Sequence, residues 1–293
     1  MSRRLTRFIG KLINAVGWVS PTFGGRMAFY LFSRTATRTP KSDKEKAVIA
    51  AAIPVFAQAQ TRTVVLSEGK AVAHVFPAKA ANGGPRVLLT HGWNSSALYM
   101  VGMIEGLRSA GAEVVALDLP GHGASPGRRL HAALAVEAIS KTCEQLGPFD
   151  LMVGHSFGGY MTVASVRGVL QGLYKPQPRK VVTIASPSDV RIVFGRYVKM
   201  LGLSKSVHNG LISRIEAISG RKVEDFFGPK MLSEAGVEAL VLHAEDDKEV
   251  DANAARQYAD AGPQVQLQWL NGLGHRRIVN SPEAIVAVTS FAA

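Results

Sequence analysis

The stretch Asp150-Leu151-Met152-Val153-Gly154-His155-Ser156-Phe157-Gly158-Gly159-Tyr160 decides how the rest of the chain is read. A short apolar run ends on Gly154 and helix-forming residues run from Tyr160 to Val169, so a strand must turn sharply into a helix with Ser156 at the corner. Glycines on both sides of the serine suit a turn in which neighbouring backbone leaves no room for side chains, exposing Oγ beyond the strand end. A serine so held is a candidate nucleophile. At neutral pH it needs a base, and the base needs a carboxylate to orient it.

Working outward, short apolar runs at residues 87–90, 114–118, 150–153, 181–185, 239–243 and 265–270 alternate with helical stretches. This pattern predicts an α/β fold, a mostly parallel sheet with helices on both faces. Ligands of such sheets gather at the carboxyl ends of the strands. Two earlier runs, 63–67 and 71–76, flank Glu68-Gly69-Lys70 and read as an antiparallel pair, after which the loop 77–85 punctuates the chain. Residues 187–236 break the alternation with helical runs at 192–203 and 211–219 and read as a small inserted helical lid. Phe194, Met200, Leu201, Phe226 and Phe227 are there to cover an apolar group. The expected organisation is a basic N-terminal helical extension over residues 1–60 and one domain over 61–293, with the lid inside it.

Two loops at strand carboxyl ends supply the missing groups. The strand 239–243 runs into His243-Ala244-Glu245-Asp246-Asp247-Lys248-Glu249-Val250, and the strand 265–270 runs into Asn271-Gly272-Leu273-Gly274-His275. His275, between a glycine-rich turn and a terminal helix at 282–291, is the candidate base. Glu245, Asp246 and Asp247 are the candidate carboxylates.

With serine, acid and histidine in this order, residues 61–293 resemble the α/β-hydrolase family. The resemblance selects Asp247, four residues after His243 and three before Val250, with Asp246 and Glu245 as competitors, and so implies a triad of Ser156, Asp247 and His275. His91-Gly92-Trp93-Asn94 resembles the family's oxyanion loop and implies the backbone amides of Trp93 and Phe157 as donors, with His91 a structural hydrogen-bonding residue. The run 118–125 matches a further family signature, which implies that Asp118 and His122 fix a turn. The implied activity is hydrolysis of an acyl bond, a carboxylic ester, through an acyl-serine intermediate. A thioesterase or acyltransferase on the same triad and a non-catalytic ligand-binding homologue are the alternatives. A serine at this position argues against haloalkane or epoxide chemistry, for which the family uses Asp.

Composition bounds the rest. The chain has 293 residues, 47% of them hydrophobic, enough for one sizeable core. Its net charge of +12 is uneven, because residues 1–46 hold ten Lys and Arg against Asp43 and Glu45. The body is therefore not a uniformly basic surface, and nucleic acid is not an expected partner; a small-molecule acyl substrate is. One cysteine, Cys143, excludes an internal disulfide and a cysteine-built metal site and favours a reducing compartment, the cytoplasm. His122 has no partners at metal-ligand spacing, and Gly154 to Gly159 lacks the ending of a phosphate loop, so neither metal nor cofactor is expected.

Residues 2–20 place Arg4, Arg7, Lys11 and Asn14 on one side and Phe8, Ile9, Leu12, Ile13, Val16 and Val19 on the other, the pattern of an amphipathic helix. No run of 18 apolar residues follows, so no membrane span is expected. Such a leader either packs on its own domain or lies peripherally on an anionic membrane surface.

Overall fold

The computed structural model describes residues 3–36, 38–40, 42–79 and 83–293. Ser2, which begins the expected leader helix, Lys41 and residues 80–82 of the punctuating loop lie outside the described residues. The β-branched runs pair into one eight-stranded sheet: β1 (Gln60–Val65), β2 (Lys70–Phe76), β3 (Arg86–Thr90), β4 (Glu113–Asp118), β5 (Leu151–His155), β6 (Lys180–Ile184), β7 (Glu238–His243) and β8 (Val265–Trp269). Their order is β1-β2-β4-β3-β5-β6-β7-β8. The pairs β1–β2 and β2–β4 are antiparallel and all the others parallel. Chain order thus reverses at β3, which lies between β4 and β5. The loops leaving β3 and β5 diverge to opposite sides there, which opens the crevice where such sheets hold their sites.

The helices follow in chain order as α1 (Arg3–Val19), α2 (Pro21–Phe32), α3 (Asp43–Phe56), α4 (Val101–Ser109), α5 (Ala132–Leu146), α6 (Phe157–Arg167), α7 (Val190–Leu201), α8 (Lys205–Ser219), α9 (Gly228–Ala235), α10 (Asn253–Ala259), α11 (Gly274–Arg277) and α12 (Pro282–Ala292). Compactness divides the chain into residues 35–188 with 228–293, and residues 1–34 with 189–227. These units are drawn otherwise than at residue 60. The leader helices α1 and α2 form one unit with the inserted α7 and α8, while α3 belongs to the larger unit.

In the larger unit the inner strands β3 to β7 are buried on both faces, as helices on either side require, whereas β1 and β8 at the edges are largely exposed or half-buried. Val87, Leu89, Val114, Val153, Ile184 and Leu242 pack with Met103, Ile104 and Leu107 of α4 and Val288 of α12 into a single core. The alternate residues Leu88, Val115 and Met152 are equally buried and face the other way, by the two-residue period of a strand.

The smaller unit is a helical cluster around Ile13, Ala28, Phe194, Tyr197, Leu201, Val207 and Leu211. Phe32 meets Phe194 and Tyr197 edge to face at 5.2 and 5.0 Å, and the Tyr197 hydroxyl donates to the Ala28 carbonyl at 2.8 Å. Asn14 joins the polar side of α1 in the sequence pattern, yet it spends both ends on the α7–α8 turn. Its Nδ2 donates to Gly202 O at 2.9 Å and its Oδ1 accepts from Ser204 N at 2.8 Å. Pro21 opens α2 as its first residue, with Ser20 as the cap accepting from Phe23 N.

Two glycines let α2 and α8 approach backbone to backbone. A Cβ on Gly25 would stand 2.1 Å from the carbonyl carbon of Gly210, and one on Gly210 would stand 2.2 Å from Pro21 O. Replacing a helical glycine usually gains stability. Here Gly210→Val is expected to cost roughly 1–3 kcal/mol through overpacking. Urea unfolding would read this as a lower midpoint, and a midpoint equal to or above that of the wild type would contradict the packing.

Candidate active site

Ser156 occupies the residue between the end of β5 and the start of α6, at φ 53° and ψ −124°. A serine there costs of order 1–3 kcal/mol of backbone strain, which the surrounding bonds must hold. The Ser156 amide donates to Ile184 O at 2.8 Å, and its carbonyl accepts from Gly159 N at 3.1 Å. The flanking glycines are obligatory. A Cβ on Gly154 would lie 2.3 Å from the Gly159 Cα, and one on Gly158 would lie 2.4 Å from the carbonyl oxygens of Thr90 and His91.

The carboxyl ends of β7 and β8 bring the other two residues to this corner. Asp247 Oδ1 accepts from the amides of Glu249 at 2.7 Å and Val250 at 3.0 Å, which anchors one oxygen to its own loop. The other oxygen, Oδ2, lies 2.8 Å from His275 Nδ1. His275 Nε2 lies 3.0 Å from Ser156 Oγ. Since a carboxylate only accepts, the imidazole carries its proton on Nδ1 and presents the Nε2 lone pair to the serine hydroxyl. Burial acts to raise the Asp247 pKa, but the bond from His275 and the two amides together hold it below the ordinary carboxylate value. The residue therefore stays anionic at neutral pH although its side chain has 0% exposure.

The competing carboxylates are engaged elsewhere. Asp246 Oδ1 accepts from Gly272 N at 2.8 Å, and Glu245 bonds Arg256 at 2.9 Å and Asn271 Nδ2 at 3.0 Å. Three residues given no role in the sequence reading also bear on the site. The His155 ring donates from Nε2 to the His275 carbonyl at 2.8 Å and lies 5.0 Å from the His275 ring. Glu249 pairs with Arg276 at 2.8 Å, beside His275. Their only sequence signal is adjacency: His155 precedes the serine, and Arg276 follows the histidine.

The loop after β3 closes the other side. Gly92 runs so close to the corner that a Cβ on it would stand 3.0 Å from the Ser156 Cβ, and the rings of Trp93 and Phe157 meet edge to face at 5.1 Å. Phe157 is the first residue of α6, so its amide is one of the four that no carbonyl of its own helix can satisfy. His91 donates from Nδ1 to Gly92 O at 2.7 Å and accepts at Nε2 from Leu119 N at 3.0 Å, a neutral ring holding two loops together. The buried Asp118 accepts from Ala97 N, Ala124 N and the His74 ring at 2.8, 2.8 and 3.1 Å, and His122 accepts at Nε2 from Asn94 N at 3.0 Å.

Cys143 is buried, which pushes its thiol up to about 12 and leaves it protonated. Among the described residues no group of three or more His, Cys, Asp or Glu could hold a metal ion. A surface groove of about 850 Å³ beside β8 and α12, lined by Lys180, Glu238, Gln268 and Phe291, touches none of the corner residues.

The buried histidines give the fold an acid limit. Burial lowers His122 and His155 from 6.5 to about 4 and lowers His91 as well. Between pH 6.5 and 4 the unfolded chain takes up protons that the folded rings refuse, so stability is fully present above 6.5 and falls as the pH drops towards 4. Each of the two rings contributes a slope of up to about 1.4 kcal/mol per pH unit. Urea midpoints at pH 7.5, 6 and 5 are expected to fall in that order, and a flat series would mean that these rings are charged in the folded protein.

Comparison with known proteins agrees with this architecture. Residues 87–288 match the model of the alpha/beta hydrolase family, and the chain belongs to that family. Solved structures share the fold at low identity. A naproxen esterase (carboxylesterase NP) from Bacillus subtilis is 14% identical with a TM-score of 0.60, over 87% of this chain and 100% of that one. A second carboxylesterase from Bacillus subtilis is 15% identical with a TM-score of 0.57, over 84% and 96%. A thioesterase domain from the curacin biosynthetic pathway is 18% identical with a TM-score of 0.52, over 80% and 98%. A comparison with curated proteins gives no match.

Proposed function

We propose that the protein hydrolyses a carboxylic ester through an acyl intermediate on Ser156. The observation that carries this reading is the hydrogen-bonded series Asp247 Oδ2, His275 Nδ1, His275 Nε2, Ser156 Oγ, with spans of 2.8 and 3.0 Å. In the acylation step Ser156 Oγ attacks the ester carbonyl and its proton passes to His275 Nε2, while Asp247 stabilises the imidazolium that forms. The amides of Trp93 and Phe157 are the proposed donors to the oxyanion. Collapse of the tetrahedral intermediate expels the alcohol, which leaves with the proton from His275. Water then gives a proton to His275 and attacks the acyl carbon, and Ser156 recovers the proton as the acid departs. The position of His275, between a carboxylate that fixes its tautomer and a serine at bonding distance, is what this sequence of transfers needs. That the chain shares its fold with carboxylesterases agrees in class.

The test is labelling by a fluorophosphonate probe, which reacts with activated serines. The wild type is expected to label, Ser156→Ala to stay blank, and His275→Ala to label far more slowly. A folded wild type that does not label would remove the acyl-serine step. Matched oxygen and thioester substrates in the same assay separate an esterase from a thioesterase by leaving group.

A further inference from the structure

The smaller unit, residues 1–34 with 189–227, is about a quarter of the chain. It carries eleven of the fifteen large apolar side chains that are exposed among the described residues. It also holds thirteen Lys and Arg against four acids, and residues 1–34 contain no acid at all. Exposed apolar surface and excess positive charge therefore coincide, whereas soluble surfaces rarely concentrate either.

The coincidence is ordered on α1. Thr6, Gly10, Ile13 and Gly17 recur at helical spacing and are buried, and Gly10 sits against the Leu201 carbonyl. Apart from Ile13 the inward seam is small, and it leaves most of the larger apolar residues of α1 outside it. Leu5, Phe8, Leu12 and Val19 form a second stripe that is exposed. Arg4, Arg7 and Lys11 form a third, also exposed. At the end of α1, Trp18 is 88% and Val19 79% exposed. The next helix repeats the arrangement, with Phe23, Met27 and Tyr30 exposed on one face and Arg26 among them. The sequence leaves open whether α1 packs on its own domain or lies on a membrane; the side that turns inward carries Gly10, Ile13 and Gly17, because close backbone approach needs small residues there.

We infer that α1 and α2 dock the protein on an anionic phospholipid surface, with Leu5, Phe8, Leu12 and Val19 among the acyl chains and Arg4, Arg7 and Lys11 at the phosphates. Apolar and cationic stripes side by side on a surface helix match that environment, and an exposed tryptophan suits its interface. A second copy of the chain fits poorly, because it would bring its own excess of cations against these. Nucleic acid would use the cations and leave the leucines and phenylalanines without a partner. Among the described residues no helix is long and apolar enough to cross a membrane, so the contact is with the surface.

The experiment is co-sedimentation of the full chain with vesicles of phosphatidylcholine alone or mixed with phosphatidylglycerol. Two exposed pairs are compared with the wild type, Phe8→Asp with Leu12→Asp, and Arg4→Glu with Lys11→Glu, each checked for native circular dichroism. The wild type is expected to bind the mixed vesicles at least about tenfold more tightly than the neutral ones, and less as salt rises. The apolar pair is expected to lose on the order of tenfold or more, and the charge-reversed pair to bind both vesicles at the neutral level. Wild type that fails to sediment with mixed vesicles overturns the inference. So does unchanged binding in the apolar pair, which would indicate a plain polyanion site, or self-association lost in that pair without vesicle binding, which would indicate a second copy. None of these readouts depends on ester turnover.

Discussion

Ser156→Ala is expected to lower ester turnover on the order of 10⁵- to 10⁶-fold, with KM and circular dichroism little changed. The magnitude follows from serine enzymes in which loss of the nucleophile abolishes the covalent route and leaves only the rate that the oxyanion donors and substrate binding supply. The fold should tolerate the change. The backbone bonds that hold the corner, to Ile184 O and from Gly159 N, involve the amide and carbonyl of residue 156 and not its side chain. Alanine keeps the strain of φ 53°, whereas Ser156→Gly removes both the hydroxyl and the strain and is expected to be the more stable of the two variants. The measurement is steady-state turnover of a chromogenic ester beside urea unfolding. A residual rate above about one per cent of the wild type would mean that another group attacks the carbonyl.

Asp247→Asn is expected to cost about 10⁴-fold in kcat, by a wrong proton position and not by lost geometry. The Oδ1 atom of Asp247 accepts two amides, from Glu249 and Val250, so the asparagine oxygen takes that place and its amide nitrogen replaces Oδ2, 2.8 Å from His275 Nδ1. An NH₂ at that point demands an acceptor on Nδ1, which moves the ring proton to Nε2 and aims it at Ser156 Oγ. The base is then unavailable. Asp246→Asn is the control, because its carboxylate accepts only Gly272 N among the described contacts and stands outside the series, so a loss of less than about tenfold is expected. Equal losses in the two variants would break the assignment of the acid.

Much of the fold is legible in the residues. The runs of Val, Leu and Ile at 87–90, 114–118 and 181–185 can only be satisfied as strands covered on both faces, and they lie within a residue or so of β3, β4 and β6. The corner at Ser156 is local in part: Gly159 closes the space at Gly154, whereas the carbonyls of Thr90 and His91, far away in the chain, close that at Gly158. The choice among Glu245, Asp246 and Asp247 is not local. Consecutive residues of a loop point in different directions, and which one faces His275 depends on the two amides that pin Asp247 and on the bonds that take Asp246 and Glu245 away. His155 was invisible for the same reason: its partner is a carbonyl 120 residues along the chain.

What the sequence determined by itself was the parallel strands, the glycine-flanked corner and the order of serine, acid and histidine, because strand period, glycine and chain order act over a few residues. The tertiary structure alone decided which carboxylate bonds His275, that α1 and α2 share a unit with α7 and α8, and which stripe of α1 turns inward. Those outcomes rest on contacts between residues far apart in sequence, such as Asn14 with Gly202 and Ser204, or Gly10 with Leu201. A helix's own periodicity marks its apolar side, but whether that side is buried depends on which surface a neighbour can approach most closely.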